Sequence, residues 1–156
     1  PEKYIGDPNN IICRSSWERH FCHWCDKNEN VLKWASEEIS IPYYFDGKVR
    51  RYFPDYLIEF RDTQGRVKKQ LIEVKPKKQT QPPKPPARVT KSFLYEAAMY
   101  EKNIAKWKAA TEFCLDNMIE FRIITEDELG IKQYDSRRTG SRGVQRRRKP
   151  NKRPRR

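Results

Sequence analysis

The sequence predicts an α/β domain in which helices flank a mixed β-sheet, in the order α-β-β-β-α-β. Three observations carry this prediction: apolar residues at helical spacing near the start, three extended runs separated by turn residues, and a long amphipathic segment before a last apolar strand. Consecutive strands joined by short turns favour an antiparallel meander, and an intervening helix favours a parallel crossover. At 156 residues the chain is expected to hold one domain, residues 1–130, followed by a tail, residues 131–156.

The first helix is predicted to start after Ser15. Ser15 followed three residues later by Glu18 is typical of a capping box at a helix N-terminus. Phe21 and Trp24 follow at helical spacing, so the helix is expected to reach about Lys27.

Three strands are predicted in the next part of the chain. Residues 37–45 alternate loosely between apolar and polar, and Asp46–Gly47 marks a turn. Residues 48–60 are predicted to form one long extended stretch or two collinear pieces. Residues 62–65, DTQG, form a second turn, after which residues 67–75 return along the sheet.

The rest of the domain is predicted to supply the crossover helix and the last strand. The proline-dense residues 76–86 are expected to be an extended loop or a rigid spacer. Residues 90–117 carry an apolar stripe typical of one or two helices. Residues 118–125, MIEFRIIT, are predicted as a short buried strand, and the TEDE that follows predicts a last helical turn ending at Gly130.

Residues 131–156 carry most of the positive charge. They hold 12 Lys/Arg residues against Asp135 and contribute +11 to the formal charge of +13. Such a composition cannot bury enough apolar surface to fold alone, so a basic, disordered tail is predicted. Its expected partner is nucleic acid; a localisation signal or simple solubility is the alternative. Because no apolar run approaches the ~20 residues of a membrane span, the protein is expected to be soluble and intracellular.

The stretch HFCHWC, residues 20–25, brings two histidines and two cysteines close together. A structural zinc site needs four ligands, usually as two separated pairs, and the other cysteines, Cys13 and Cys114, each stand alone. One face of the first helix is therefore the better interpretation, and the four cysteines are expected to be reduced thiols.

The stretch LIEVKPK, residues 71–77, places Glu73 and Lys75 on the same face of a strand. If the preceding turn is centred near Gln64, Asp55 lies opposite Glu73. Two adjacent carboxylates repel each other, and a divalent cation between them would reverse the sign of that interaction. A slip of one residue would put Asp55 on the opposite face, leaving two solvated surface carboxylates.

Pro54–Asp55 followed by Glu73–Val74–Lys75 resembles the motif of the PD-(D/E)xK nuclease superfamily. The restriction-endonuclease-like fold of that superfamily has the same α-β-β-β-α-β order. The similarity to the head-completion nucleases of T-even-type tailed phages is closer, covers about residues 4–130 and leaves out the tail. It rests on the stretches RSSWERHF, YFDGKVRRYFPDY, IEVKPKKQTQPPKPP, KWKAATEFC and FRIITEDEL.

The resemblance implies a Mg²⁺-dependent DNA nuclease in which Mn²⁺ substitutes. It implies Asp55 and Glu73 as carboxylate ligands, with the backbone carbonyl of Val74 as a third ligand. Lys75 would hold or deprotonate the attacking water. Glu18 matches a helix-one glutamate that many members of the superfamily aim at the metal site, although the capping box is an equally good account of it.

Four basic residues near this motif are expected to contact the phosphates of double-stranded DNA, or else are solvated strand ends. They are Arg50, Arg51, Lys77 and Lys78.

The resemblance further implies endonucleolytic and possibly exonucleolytic processing of packaged DNA during phage head completion and head–tail joining. The protein would then act in the host cytoplasm during phage assembly or as part of the virion, with head or neck proteins as partners and no membrane. Two alternatives remain at this point. One is a non-catalytic DNA-binding virion or packaging protein, and the other is a transposon-end or restriction-type endonuclease on the same fold.

Overall fold

The computed structural model describes residues 2–130, which form a four-stranded mixed sheet, a two-stranded sheet and three α-helices. The predicted tail, residues 131–156, lies outside the described residues. In chain order the elements are α1 (Ser16–Lys27), β1 (Val31–Ser36), β2 (Ile41–Phe45), β3 (Lys48–Tyr52), β4 (Tyr56–Arg61), β5 (Val67–Val74), α2 (Lys91–Asp116), β6 (Glu120–Ile124) and α3 (Glu126–Leu129), with short 3-10 turns at Pro8–Asn10 and Lys77–Thr80.

The main sheet has the strand order β1-β4-β5-β6. Strands β1, β4 and β5 are antiparallel neighbours, and β6 pairs with β5 in parallel after the α2 crossover. Counting the elements of this sheet and its helices gives α1, β1, β4, β5, α2, β6, so the predicted α/β class and the α-β-β-β-α-β order are confirmed. The β2–β3 hairpin is a separate sheet inserted between β1 and β4.

The first strand of the main sheet lies six residues earlier than the sequence pattern predicts. The pattern predicts it at residues 37–45, whereas β1 occupies Val31–Ser36 and β2 belongs to the hairpin. Trp34, Ala35 and Ser36 are all buried, so β1 lacks the alternation that identifies a half-exposed strand. The backbone of Trp34 in β1 also forms a parallel bridge with Tyr4 at the edge of the main sheet. The apolar pattern of the sequence cannot reveal this contact.

The long extended stretch predicted over residues 48–60 is two strands in two different sheets. Strand β3 ends at Tyr52 and β4 begins at Tyr56, and the break contains the buried Pro54. Because proline cannot donate a ladder hydrogen bond, the chain leaves the hairpin here and enters the main sheet. Asp55 is therefore placed immediately before the first residue of β4.

Each face of the main sheet is covered by one long helix. On one face, Phe21 and Cys25 of α1 pack with Ile72 and neighbouring residues, which confirms that HFCHWC contributes a helical face to the core. On the other face, Trp107 of α2 packs with Leu71 and the hairpin. Even-numbered residues of β5 thus face α1 and odd-numbered residues face α2. Glu73 accordingly points toward α2 and the hairpin.

The ends of the helices follow the sequence signals. The Ser15 side chain accepts a hydrogen bond from the Glu18 backbone N–H at 3.1 Å, so α1 begins where predicted. Thr125 and Glu128 form a capping box at the start of α3, and Gly130 ends it with a φ of 66°. Nowhere in residues 2–130 does a helix combine the length and apolarity needed to cross a membrane.

Candidate active site

The register of the β4–β5 hairpin brings Asp55 beside Glu73. Tyr56 pairs with Ile72, so the residue before β4 lies at the level of Glu73 on β5. Oδ2 of Asp55 accepts a hydrogen bond from the backbone N–H of Val74 at 2.7 Å, which fixes the carboxylate at the end of the strand. The predicted register is therefore confirmed, and the one-residue slip that would have separated the two carboxylates is not what the chain adopts.

Glu73 is almost fully buried, with 4% of its surface exposed. Its Oε2 accepts a hydrogen bond from the Tyr52 hydroxyl at 2.6 Å, and its Oε1 lies 3.3 Å from Nζ of Lys75. A buried carboxylate needs partners of this kind, because an unpaired charge is costly inside a protein. Asp55, Glu73 and Lys75 thus form one cluster, with Tyr52 fixing the orientation of Glu73.

The environment of Asp55 disfavours its charged form. The pKa of Asp55 is raised to about 7, chiefly by burial and next by the negative charge of Glu73, while the Val74 N–H acts in the opposite direction. At neutral pH this carboxyl group therefore holds a proton in a substantial fraction of molecules. A divalent cation would replace that proton and relieve the repulsion within the pair.

The donor atoms of this cluster fit a hard divalent cation. Oδ1 of Asp55 accepts no hydrogen bond within the described residues. The N–H and C=O of one strand residue point to the same side of the strand. Because the Val74 N–H donates to Asp55, the Val74 carbonyl is also directed toward the side of β5 on which Asp55 lies. Two carboxylates and a carbonyl, with water completing the shell, are ligands typical of Mg²⁺. Among residues 2–130, no group of three His, Cys, Asp or Glu side chains is arranged to hold a metal ion.

Glu18 lies at the N-terminus of α1, where its side chain serves the helix end. Its two carboxylate oxygens accept hydrogen bonds from the Arg14 backbone N–H at 2.8 Å and the Ser15 hydroxyl at 3.1 Å. The charge of Glu18 also raises the pKa of Asp55, after burial and Glu73. The side chain is therefore occupied in the cap yet close enough for Asp55 to feel its charge.

The four predicted DNA-contacting residues lie in different environments. Lys77 binds α3: its Nζ is 2.7 Å from Oδ2 of Asp127. Lys78 lines an open cleft beside Lys75. On the hairpin, Arg51 is exposed, whereas Nε of Arg50 is buried without a hydrogen-bond partner among the described residues. Within the described residues, only Lys78 of the four adjoins the cluster through a cleft.

Two residues near the cluster carry no signal in the sequence. Tyr52 follows the ordinary alternation of a strand, and Lys106 lies in the middle of α2, far along the chain. The packing of α2 on the hairpin places Nζ of Lys106 5.5 Å from the centroid of the Tyr52 ring. Burial lowers the pKa of Lys106, while the charge of Glu73 raises it. Lys106 is thus a second cation on the Glu73 side of the sheet.

The stability of the metal-free protein is expected to depend on the ionisation of Asp55. Because its pKa is raised in the folded state, the folded protein binds this proton more tightly, and stability should fall as the pH rises from about 4 to about 7. The Asp55→Asn variant keeps an acceptor for the Val74 N–H and removes the charge. Above pH 7 it should be more stable than the wild type, by at most about 4 kcal/mol.

Thermal unfolding in EDTA at pH 5 and pH 8 measures this effect. The advantage of Asp55→Asn over the wild type should be larger at pH 8, whereas an equal difference at both pH values would contradict the raised pKa.

A mixed sheet that carries an acidic pair and a lysine at the ends of its two central strands is the arrangement of the PD-(D/E)xK nucleases. Residues 28–126 match the family described as TnsA-like endonuclease N terminal, and the chain belongs to this family. It is 46% identical over 133 residues to the head completion nuclease of Enterobacteria phage T4, covering 81% of this chain and 86% of that protein. No solved structure matches the chain. The protein is thus a nuclease, a hydrolase of DNA phosphodiester bonds, and the resemblance stated from the motifs is confirmed.

Proposed function

We propose that the protein is a Mg²⁺-dependent DNA nuclease that processes packaged DNA during phage head completion and head–tail joining, with both endonucleolytic and exonucleolytic action. The name of its T4 relative supports the biological setting. It would work in the host cytoplasm during assembly or in the virion, beside head or neck proteins. The observation that carries the chemistry is the pair formed by half-buried Asp55 and buried Glu73, with Lys75 3.3 Å from Glu73.

In this proposal Asp55, Glu73 and the Val74 carbonyl hold the metal. When bound, Mg²⁺ lowers the pKa of a coordinated water and neutralises charge that develops on the phosphate. Tyr52 holds Glu73 in place through its 2.6 Å hydrogen bond, so that the carboxylate need not reorganise during the reaction. Glu18 would act on Asp55 through its charge or through a water molecule, since its oxygens already bind the helix end.

Lys75 is proposed to hold or deprotonate the attacking water and to stabilise the transition state. Its side chain is a quarter exposed, with 26% of its surface accessible, so it faces both Glu73 and the solvent from which substrate arrives. An ammonium group in this position stabilises the negative charge that accumulates on the phosphate oxygens.

DNA is proposed to be positioned by basic residues around this site. Arg50, Arg51, Lys77 and Lys78 would contact phosphates without reading sequence; Lys77 must first exchange Asp127 for a phosphate. Residues 1–130 would form the catalytic domain, and the basic residues 131–156 would add affinity through counterion release.

Removing the metal is expected to stop cleavage. Purified protein should convert circular DNA to nicked and linear forms and shorten linear DNA with Mg²⁺, and it should do neither in EDTA, because the acidic pair alone repels phosphate. Mn²⁺ should restore activity. Gel analysis of both DNA forms measures this, and cleavage that persists in excess EDTA would contradict the proposal. DNA binding without any cleavage would favour a non-catalytic packaging protein.

A second candidate is supported by the family match, since the family is described as TnsA-like. The protein would then be a transposon-end type of endonuclease that cuts at a defined sequence. Sequencing of the cut ends distinguishes the two: a processing nuclease leaves scattered ends, and a transposon-end nuclease leaves ends at one site.

A further inference from the structure

A cleft of about 710 Å³ opens next to the acidic cluster, between the proline-rich segment and the first half of α2. Lys75 lines it, so the cleft and the cluster share a residue. Its lining includes Lys75, Lys78, Lys84, Tyr95, Glu96 and Tyr100.

The lining of this cleft combines positive charge with aromatic surface. It contains three lysines and one acidic residue, Glu96. Tyr95, on α2, is 68% exposed, and Tyr100, also in the lining, is half-buried. Lysines spaced along a groove with an open aromatic ring are the features by which proteins hold single-stranded nucleic acid, since phosphates pair with the cations and bases stack on the ring.

The proline-rich segment, which forms the wall of the cleft opposite α2, is held in place by hydrogen bonds at its start. The backbone N–H of Lys77 donates to Oε2 of Glu126 at 2.8 Å, and the Thr80 hydroxyl donates to the Lys77 carbonyl at 2.7 Å. Pro82 and Pro83 follow, with fixed φ angles and no backbone N–H to satisfy. The cleft is therefore formed before any ligand arrives, which reduces the entropy lost on binding.

The size of the cleft fits a single DNA strand better than a duplex. Its volume lies in the range of sites for single small molecules, roughly 300–1,000 Å³. This volume matches one or a few unstacked nucleotides rather than a length of duplex.

We propose that this cleft binds an unpaired DNA strand that continues from the strand held at Asp55, Glu73 and Lys75, so that the substrate is a duplex end or junction bearing a single-stranded segment. Phosphates of that segment pair with Lys78 and Lys84, and a base stacks on Tyr95. This inference rests on the proposed nuclease function, because Lys75 belongs both to the cleft and to the proposed catalytic cluster.

Binding measured without metal tests the cleft separately from catalysis. Fluorescence anisotropy in EDTA compares a blunt duplex with the same duplex carrying a six-nucleotide overhang, in either polarity. The wild type should bind one overhang form roughly tenfold more tightly than the blunt form, the amount expected of one stacked base with its phosphate contacts. Basic residues 131–156 raise the affinity for all these ligands, so the ratio isolates the cleft.

Variants of exposed tyrosines decide the outcome. Tyr95→Ala should remove most of the overhang preference, and Tyr95→Phe should retain it because the ring remains. The matched control is Tyr44→Ala, which removes a tyrosine that is 69% exposed on the hairpin, outside the cleft lining, and should keep the full preference. Equal affinity of the wild type for both ligands, or a preference undiminished in Tyr95→Ala, would overturn the inference.

The failure of this inference is distinguishable from failure of the nuclease proposal. Metal-dependent cleavage by a wild type that binds blunt and overhanging DNA equally overturns the cleft and leaves the nuclease in place. An overhang preference that persists in Asp55→Ala, and that Tyr95→Ala removes, supports the cleft whatever the cleavage assay gives.

Discussion

The Asp55→Ala variant is expected to lose cleavage activity by at least about a thousandfold, which corresponds to about 4 kcal/mol in the barrier. Asp55 is proposed to supply one of two carboxylates to the metal, and its Oδ2 is fixed by the Val74 N–H at 2.7 Å. Without it, Glu73 remains as a single buried carboxylate, already bound by Tyr52 and Lys75. One such group is a poor Mg²⁺ site, because that ion is held by several oxygen ligands in a nearly regular octahedron.

Two companion variants separate loss of metal binding from loss of structure. Asp55→Asn keeps the hydrogen bond to Val74 and should be equally inactive, because the amide oxygen carries no charge. Glu59→Ala removes another carboxylate of β4, one that lies opposite Lys69 away from the cluster, and should cleave like the wild type.

Initial rates on circular DNA with saturating Mg²⁺ measure the effect, with circular dichroism as the test of folding. Glu73→Ala is expected to be as inactive as Asp55→Ala. Nicking by folded Asp55→Ala at a rate within tenfold of the wild type would remove Asp55 from the metal site.

The acidic pair was predictable because its register is set locally. Asp62 accepts hydrogen bonds from the backbone N–H groups of Gln64 and Arg66, and Gly65 takes a φ of 78° that other residues rarely adopt. The DTQG turn therefore fixes the hairpin from within four residues, and every pair beyond it follows by counting. Glu59 opposite Lys69 adds a favourable cross-strand pair in the same register.

The surroundings of the pair were not predictable because they depend on contacts distant in sequence. Tyr52 reaches Glu73 only because the β2–β3 hairpin is a separate sheet that packs on the α2 side of the main sheet. Lys106 reaches Tyr52 only because α2 packs on the hairpin. The position of β1 was not predicted for a related reason. Because β1 is buried on both faces, it lacks the alternation of apolar and polar residues by which a strand is recognised in a sequence.

The Lys75→Ala variant is expected to lower the cleavage rate by about a hundredfold or more while leaving metal affinity within a few-fold of the wild type. Positioned proton transfer typically contributes 10²–10⁴-fold, and a cation beside the transition state adds to it. Lys75 is not a ligand in the proposed site, and its removal frees Oε1 of Glu73 from an ion pair at 3.3 Å. Metal binding should therefore be spared when turnover is lost.

Single-turnover cleavage and calorimetric titration with Mg²⁺ measure the two quantities independently. Lys69→Ala, which removes an exposed lysine of β5, is the control and should change neither. Lys75→Arg distinguishes the two roles of the side chain, because a guanidinium keeps the charge but does not release a proton at ordinary pH. Recovery of most of the rate by arginine assigns Lys75 to charge stabilisation, and no recovery assigns it to proton transfer. Undiminished turnover in Lys75→Ala would contradict both roles and direct attention to Lys106, the other cation on the Glu73 side of the sheet.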